Sequence, residues 1–372
     1  MKLTSQMIKD RAKELGIDCI AIGNIERFAD APKLMSPTTI FPEAKSVIAI
    51  AMRIPRGTNR GIEEGTHWHN YTFYSYAKLN SLFRPRKSYE LCRFIEDFGW
   101  EACAHYPDVP EINSTRMKPV APHLPPPNVI CSVRVIAAGT GIGEIGWSKV
   151  FLTKKFGPRV RLGLIFTDCE LEPDPILETG TICLHCGACT RACPGNAIPD
   201  PKKDENKKLV IDYGETKTYY GDVRMGRCTL THHGMNRTIS PFLQKDFPNL
   251  DFDIRNSEMS EEEAYMMCGA MAKGTCYRKP YNQNIMEYNA YIRNHTGYYA
   301  VCGARGCIRA CNDILERTKR IENLFHNPYY KHPSWEFPTK PTKTFDGINP
   351  FREAFLDEKY PGIRKNEYKK TE

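Results

Sequence analysis

The chain has 372 residues, 41% hydrophobic and 26% charged, with a formal net charge of +8. That length supports a large core and two or three domains, and the composition excludes a disordered or fibrous chain. No window reaches about 18 uninterrupted apolar residues, so no membrane span is expected.

From Met1 the chain runs directly into an amphipathic pattern with neither an apolar leader nor a twin arginine, which points to a cytoplasmic protein. The positive balance suits an acidic electron donor or a nucleic acid. The basic runs at Lys202-Lys203, Lys207-Lys208 and Arg364 to Lys370 lack interleaved aromatics and read as solvated faces. Fifteen cysteines in so long a chain argue for metal ligation rather than a disulfide scaffold. Cys19, Cys92, Cys103, Cys131 and Cys169 lie in apolar or mixed surroundings and read as small buried hydrophobes.

In chain order, Ile8, Ala12 and Leu15 predict a helix over 5–15 that stops at Gly16. Residues 17–22 read as a short strand. The nearly continuous apolar run 46–52 reads as a central strand covered on both faces. Residues 67–83 are rich in aromatics, either a helix with an aromatic core stripe or a wall against a flat cofactor or substrate. Leu91, Phe94, Ile95 and Phe98 share one helical face ending at Gly99, and 100–105 reads as the next strand. A proline-rich loop follows, to Pro127. Gly141, Gly143 and Gly146 then spell G-x-G-x-x-G after an apolar run. A dinucleotide fold is disfavoured, because the motif falls in a chain that already holds a sheet and the segment after it is short. The glycines still signal close backbone approach. Residues 159–167 read as a strand. The helix–strand alternation to this point predicts an α/β or α+β domain with a central sheet.

Cys183-Leu-His-Cys-Gly-Ala-Cys-Thr-Arg-Ala-Cys-Pro194 sets four cysteines at C-x2-C-x2-C-x3-C, with a proline after the last. This is the spacing of a bacterial [4Fe–4S] ferredoxin loop. Three thiolates two residues apart wrap one metal–sulfur cube only if the backbone turns tightly, and Gly187 and Ala188 put little bulk in the way. Cys193 points away from that cube; in two-cluster ferredoxins the fourth cysteine ligates the other cluster, so the chain should supply further ligands. A structural zinc site uses the same residue types but needs neither the fourth cysteine nor the proline.

Residues 139–168 and 183–198 together resemble the superfamily of cobalamin-dependent iron–sulfur reductases that includes epoxyqueuosine reductases and reductive dehalogenases. The matching text is Gly139-Thr-Gly-Ile-Gly-Glu-Ile-Gly-Trp147, Lys155-Phe-Gly-Pro-Arg-Val-Arg-Leu-Gly163, Thr167-Asp168 and Cys183 to Ile198. Gly143-Glu144 and Phe156 to Arg161 lean toward the dehalogenase branch. The resemblance implies an α+β architecture: a nitroreductase-like corrinoid-binding domain with a central sheet over 1–175, then a ferredoxin-like domain over 176–320 with two [4Fe–4S] clusters. A segment near 241–300 reads as inserted in the second domain, and 321–372 as a C-terminal extension. It further implies cobalamin or a related corrinoid, lying against Gly139, Gly141, Gly143, Glu144, Gly146 and Trp147.

The resemblance also implies a ligand set. Cys183, Cys186, Cys189 and Cys311 would hold cluster one. Cys193, Cys228, Cys302 and Cys307 would hold cluster two, which by analogy lies nearer the corrinoid. The second motif departs from the family pattern: it reads C-x4-C-x3-C and ends in Asn312 rather than proline. Cys268 or Cys276 therefore competes with Cys302. Epoxyqueuosine reductases carry an aspartate ahead of the glycine-rich motif as general acid, whereas Pro127 to Arg134 contains no acidic residue. Asn128, Cys131 and Ser132 stand nearest that place. Dehalogenases use a tyrosine assisted by a basic residue; Tyr71, Tyr74, His67 and His123 are the candidates here.

The expected function is reductive chemistry on a small molecule, related to dehalogenation, with single electrons from ferredoxin or flavodoxin. The alternatives are a corrinoid-reducing or electron-transfer protein without its own substrate, and a tRNA-modifying enzyme like epoxyqueuosine reductase, the latter less favoured. A flavin in place of the corrinoid, and a homodimer, are also open.

Overall fold

The computed structural model describes residues 2–106, 118–240, 254–264, 301–329, 333, 335 and 336. The first helix, α1 (Ser5–Glu14), is capped by the Thr4 hydroxyl, which accepts from the Met7 N–H at 3.3 Å. It ends two residues before Gly16, whose φ of 75° suits glycine. Four strands follow at wide intervals: β1 (Cys19–Asn24), β2 (Ser46–Arg53), β3 (Ala102–Ala104) and, far downstream, β6 (Val160–Thr167). They form one sheet in the order β1-β2-β6-β3, with every neighbouring pair antiparallel.

The alternation along β2 explains its unbroken apolar run. Val47, Ala49 and Ala51 pack with Leu162, Leu164 and Phe166 on one face. Ile48 and Ile50 pack with Ile165 on the other. The second face is covered by Ile8 and Ala12 of α1 and by Leu91 and Ile95 of α2 (Arg84–Glu96). The first is covered by Ile136, Ala137 and Ala138 of α3 (Val133–Gly139), together with Phe28, Tyr213 and Tyr220. Each fully enclosed Ile, Leu or Phe contributes about 1.5–3 kcal/mol relative to exposure. The result is a mixed α/β molecule with helices on both faces of an antiparallel sheet.

A helix, α3, leads into the glycine-rich run, and a two-stranded ribbon, β4 (Glu144–Ile145) and β5 (Phe151–Leu152), begins within it. A dinucleotide motif needs the reverse, strand then helix.

The aromatic stretch is helical but loosely wound. An α-turn at His69–Tyr71 gives way to π-type turns at Thr72–Ala77 and Leu79–Phe83. Ser75 and Ser81 donate their hydroxyls back to the carbonyls of Tyr71 and Ala77. Pro85, at the start of α2, has no N–H to continue the ladder. π-type turns of this kind are frequent at functional sites.

The cysteine-bearing half adds α4 (Ala188–Arg191), the hairpin β7 (Lys208–Asp212) and β8 (Lys217–Gly221), α5 (Met225–His232) and α6 (Cys307–Arg317). Buried charges tie α6 to the N-terminal segments. Arg159 reaches Asn312, Asn323 and the Ile54 carbonyl at 3.0, 2.7 and 3.0 Å. Arg56 pairs with Glu316 at 2.5 Å, and Arg309 forms a two-pronged pair with Glu63. Among the described residues no helix is long and apolar enough to cross a membrane. Most of 241–300, with Cys268 and Cys276, lies outside the described residues, as do most of 321–372 and the Arg364 to Lys370 run.

Candidate functional site

The segment 183–194 turns back on itself through two left-handed residues, His185 (φ 45°) and Gly187 (φ 69°), before the single turn of α4. Backbone N–H groups point at its sulfurs: Trp147 donates to Cys183 Sγ at 3.4 Å and Ala197 to Cys193 Sγ at 3.3 Å. Trp147, Ala197, Ile198 and Val223 form an apolar seat against which Cys183, Cys189, Cys193, Cys228 and Cys307 pack.

The cysteines fall into two neighbourhoods. Burial raises the Cys311 thiol well above its usual pKa, and the charges that raise it further are those of Cys183, Cys189 and Cys186. One helical turn earlier on α6, burial does the same to Cys307, and the charges that raise it further are, largest first, those of Cys302, Cys228, Cys193 and Cys189. Cys302 in turn feels Cys193 and Cys228. Burial pushes Cys189, Cys228 and Cys302 each up to about 12. Thiols so crowded resist ionisation, and a polycationic core between them reverses the effect. The donor set and its N–H···S bonds therefore fit iron–sulfur ligation. Among the described residues no three ligating side chains meet at a single-ion position, whereas a cube holds its thiolates apart at its corners.

The glycine-rich run braces this loop. Glu144 is buried, and its Oε1 accepts from the N–H groups of Ile182, at 3.1 Å, and Cys183. Burial raises its pKa, and these backbone donors oppose the rise. The Trp147 indole donates to the Pro199 carbonyl at 2.8 Å, and the Trp147 carbonyl accepts from Gly221 at 3.0 Å. A side chain at Gly141 (φ 84°) would stand 2.1 Å from the Pro175 carbonyl oxygen, and one at Gly143 would stand 2.1 Å from that of Leu152. Gly139 abuts Phe28 and Tyr213, and Gly146 abuts Leu152. What crowds all four glycines is the chain itself, so their lack of side chains needs no bound cofactor to account for it.

A polar cluster adjoins the second neighbourhood. The Arg161 guanidinium lies 4.0 Å from the centre of the Tyr76 ring, and its Nε donates to the Ser75 carbonyl at 2.6 Å. His232, at the end of α5, lies 5.1 Å from the same ring. Burial, with help from His233 and Arg161, holds His232 well below the usual imidazole range. Tyr71 sits edge-on to Tyr76 at 5.4 Å, and burial raises its phenol well above 10. The Tyr71 hydroxyl meets Gly303 so closely that a side chain there would stand 2.4 Å away.

Comparison with known proteins gives matches to two enzyme groups. Over 72 residues the chain is 42% identical to tetrachloroethene reductive dehalogenase of Desulfitobacterium hafniense, covering 18% of this chain and 13% of that one. Over 203 residues it is 26% identical to epoxyqueuosine reductase of Bacillus cereus, covering 51% and 45%. The chain is a relative of both reductase groups. It thus matches less than half the length of these curated relatives. A solved structure of epoxyqueuosine reductase from Streptococcus thermophilus superposes with a TM-score of 0.43 and 16% identity, over 83% of this chain and 78% of that one. No family model matches.

Within this relative of the reductases, the four sequence candidates for proton delivery are scattered. Tyr71 is fully enclosed among Ile62, Trp68, Ile239, Val301 and Ala304, with no open side. Tyr74 is 45% exposed, and His67 and His123 are exposed. Cys131 is buried, its N–H donating to His105 Nε2 at 3.2 Å. Tyr76, Arg161 and His232 were not singled out from the sequence. Arg161 lay in the family-like text and Tyr76 in the aromatic stretch at 67–83, but neither was given a role there.

Proposed function

We propose that this chain is a corrinoid-dependent iron–sulfur reductase acting on a small molecule. Cys183, Cys186, Cys189 and Cys311 hold one [4Fe–4S] cluster, and Cys193, Cys228, Cys302 and Cys307 hold the other. The observation that carries the reading is the packing of the cysteines from loop 183–193, α5 and α6: Cys183, Cys189, Cys193, Cys228 and Cys307 lie against one apolar seat, and Cys183 and Cys311 against the next. Cys302, despite its unusual spacing, takes the place for which Cys268 and Cys276 competed. A nitroreductase-like domain over 1–175 and a ferredoxin-like one over 176–320 complete the reading, with ferredoxin or flavodoxin as electron donor.

The corrinoid is implied by the likeness of 139–168 and 183–198 to the family; when bound, it supplies a strongly reducing metal centre. The chain's own residues then do three things. Glu144 and Trp147 hold the first cysteine loop in shape. Tyr76, with the Arg161 guanidinium 4.0 Å from its ring centre, is the phenol set to donate a proton from its Oη. The enclosed aromatic turns around Trp68 and Tyr71 keep water away from that proton. His232, kept neutral by burial, does not compete as a cationic acid.

The test is anaerobic purification with iron, cobalt and flavin analysis. About eight irons and about one cobalt per chain are expected. About eight irons with no cobalt, and no uptake of added cobalamin, would refute the corrinoid assignment. Turnover of a halogenated organic compound, set against turnover of an epoxyqueuosine-bearing tRNA stem-loop, separates the two substrate classes.

A further inference from the structure

Among the thirteen described cysteines, Cys186 alone is exposed. It stands between the left-handed residues His185 and Gly187 and is the most exposed residue of the first neighbourhood's ligand set. Electron transfer weakens steeply with distance, and an exposed thiolate corner is where an incoming electron has the shortest path.

The surroundings of that corner carry positive charge. Arg191 is exposed and donates to the Cys186 carbonyl at 3.2 Å. Pro201 lies 3.6 Å from where a Gly187 side chain would begin, which sets the turn at 200–204 beside the corner. In that turn the carboxylates accept from the chain's own N–H groups. Asp200 Oδ1 accepts the N–H groups of Lys202 and Lys203 at 2.9 and 3.1 Å, and Asp204 Oδ2 accepts that of Asp200 at 3.0 Å. Lys207 and Lys208 are engaged by Asp204 and Glu205. Lys202 and Lys203 are both exposed, and the Lys203 charge also acts on Asp200 and Asp204. Exposed Arg320 donates to the Thr181 carbonyl, two residues before Cys183, at 3.1 Å. The lysine pair that reads in sequence as a solvated face therefore sits beside the exposed cysteine.

We propose that this rim, centred on Cys186 and charged by Arg191, Lys202, Lys203 and Arg320, docks an acidic one-electron carrier protein. The inference rests on the assignment of the first quartet to an iron–sulfur cluster. The carrier is oxidised by one electron and the cluster is reduced by one; no bond forms or breaks and no proton is required. Opposite charge on the two surfaces raises the encounter rate and orients the carrier's own centre over Cys186. A nucleic acid would match the charge but brings no electron to the exposed thiolate.

The test uses the metal-loaded protein carrying Lys202→Glu and Lys203→Glu; Arg191 is left in place because it holds the loop. Anaerobic stopped-flow follows cluster reduction by an acidic plant-type [2Fe–2S] ferredoxin and, separately, by the methyl viologen radical cation. At low salt the ferredoxin rate is expected to fall about tenfold or more, with a flatter salt dependence. The viologen rate should hold or rise, and iron content should be unchanged. An unchanged ferredoxin rate at equal iron content overturns the docking surface and leaves the cluster assignment intact. An equal slowing with both reductants overturns it too, as damage to the loop. Weaker binding of a tRNA stem-loop with ferredoxin reduction unaltered overturns it in favour of RNA. A wild-type chain that takes up no iron overturns both this inference and the cluster assignment beneath it.

Discussion

Replacing Glu63 with Gln should destabilise the protein by about 3–5 kcal/mol. The Glu63 and Arg309 side chains are only 2% and 5% exposed, and Arg309 Nη2 meets Glu63 Oε1 at 2.5 Å while Nε meets Oε2. Arg309 lies on α6 between Cys307 and Cys311. Without the carboxylate, a guanidinium that cannot shed its proton stays buried beside both cysteine neighbourhoods. Two unit charges about 4 Å apart attract by about 4 kcal/mol at the effective dielectric of such sites, so the loss is close to the whole interaction. Replacing both partners, Glu63→Leu with Arg309→Met, removes the charge together with its counter-charge and should recover most of the stability. Anaerobic guanidinium unfolding, followed by tryptophan fluorescence and by iron retention, measures both variants. The reasoning fails if Glu63→Gln lies within about 1 kcal/mol of wild type, below the range for breaking a buried pair. It fails equally if the double variant is as unstable as the single one, because the site would then depend on shape rather than charge.

Cys302→Ser should lose about half of the bound iron while Cys92→Ser loses none, read by iron analysis and the visible charge-transfer band; equal iron in both would return the ligand to another cysteine. Tyr76→Phe should lower substrate turnover about 10²-fold or more with iron content intact, the scale of a lost general acid; unchanged turnover would remove Tyr76 from proton delivery. Burial pushes the His105 imidazole down to about 4, and its Nε2 is already occupied as acceptor for the Cys131 N–H. The unfolded chain takes up this proton near pH 6.5 and the folded one only near 4. Stability should therefore be full above about pH 6.5 and fall by up to about 3 kcal/mol as pH drops through that window. His105→Gln should flatten that part of the stability–pH curve; an unaltered slope would exclude His105 as its source.

The sheet was readable because its strands are short and apolar enough to announce themselves. Residues 17–22, 46–52, 100–105 and 159–167 correspond to β1, β2, β3 and β6. Their order was not readable, since β6 inserts between β2 and β3 from more than a hundred residues downstream of β2, and pairing at that distance leaves no local pattern. The π-type turns in the aromatic stretch escaped a helix reading for a related reason. Their cause is a pair of back-bonding serines and a proline, each unremarkable alone.

The sequence by itself determined the cysteine pattern on which the proposed chemistry rests. The spacing of Cys183, Cys186, Cys189 and Cys193, with Pro194 behind them, is a local pattern, and local patterns survive translation into turns and short helices. The tertiary structure alone decided what each such residue meets. It set Glu144 against the backbone of the cysteine loop, packed the glycines of 139–146 against the chain's own atoms, and enclosed Tyr71. It also brought Tyr76, Arg161 and His232 together, and joined Glu63 to Arg309 across 246 residues. These are contacts between distant segments, selected by which faces the sheet and α6 must bury together.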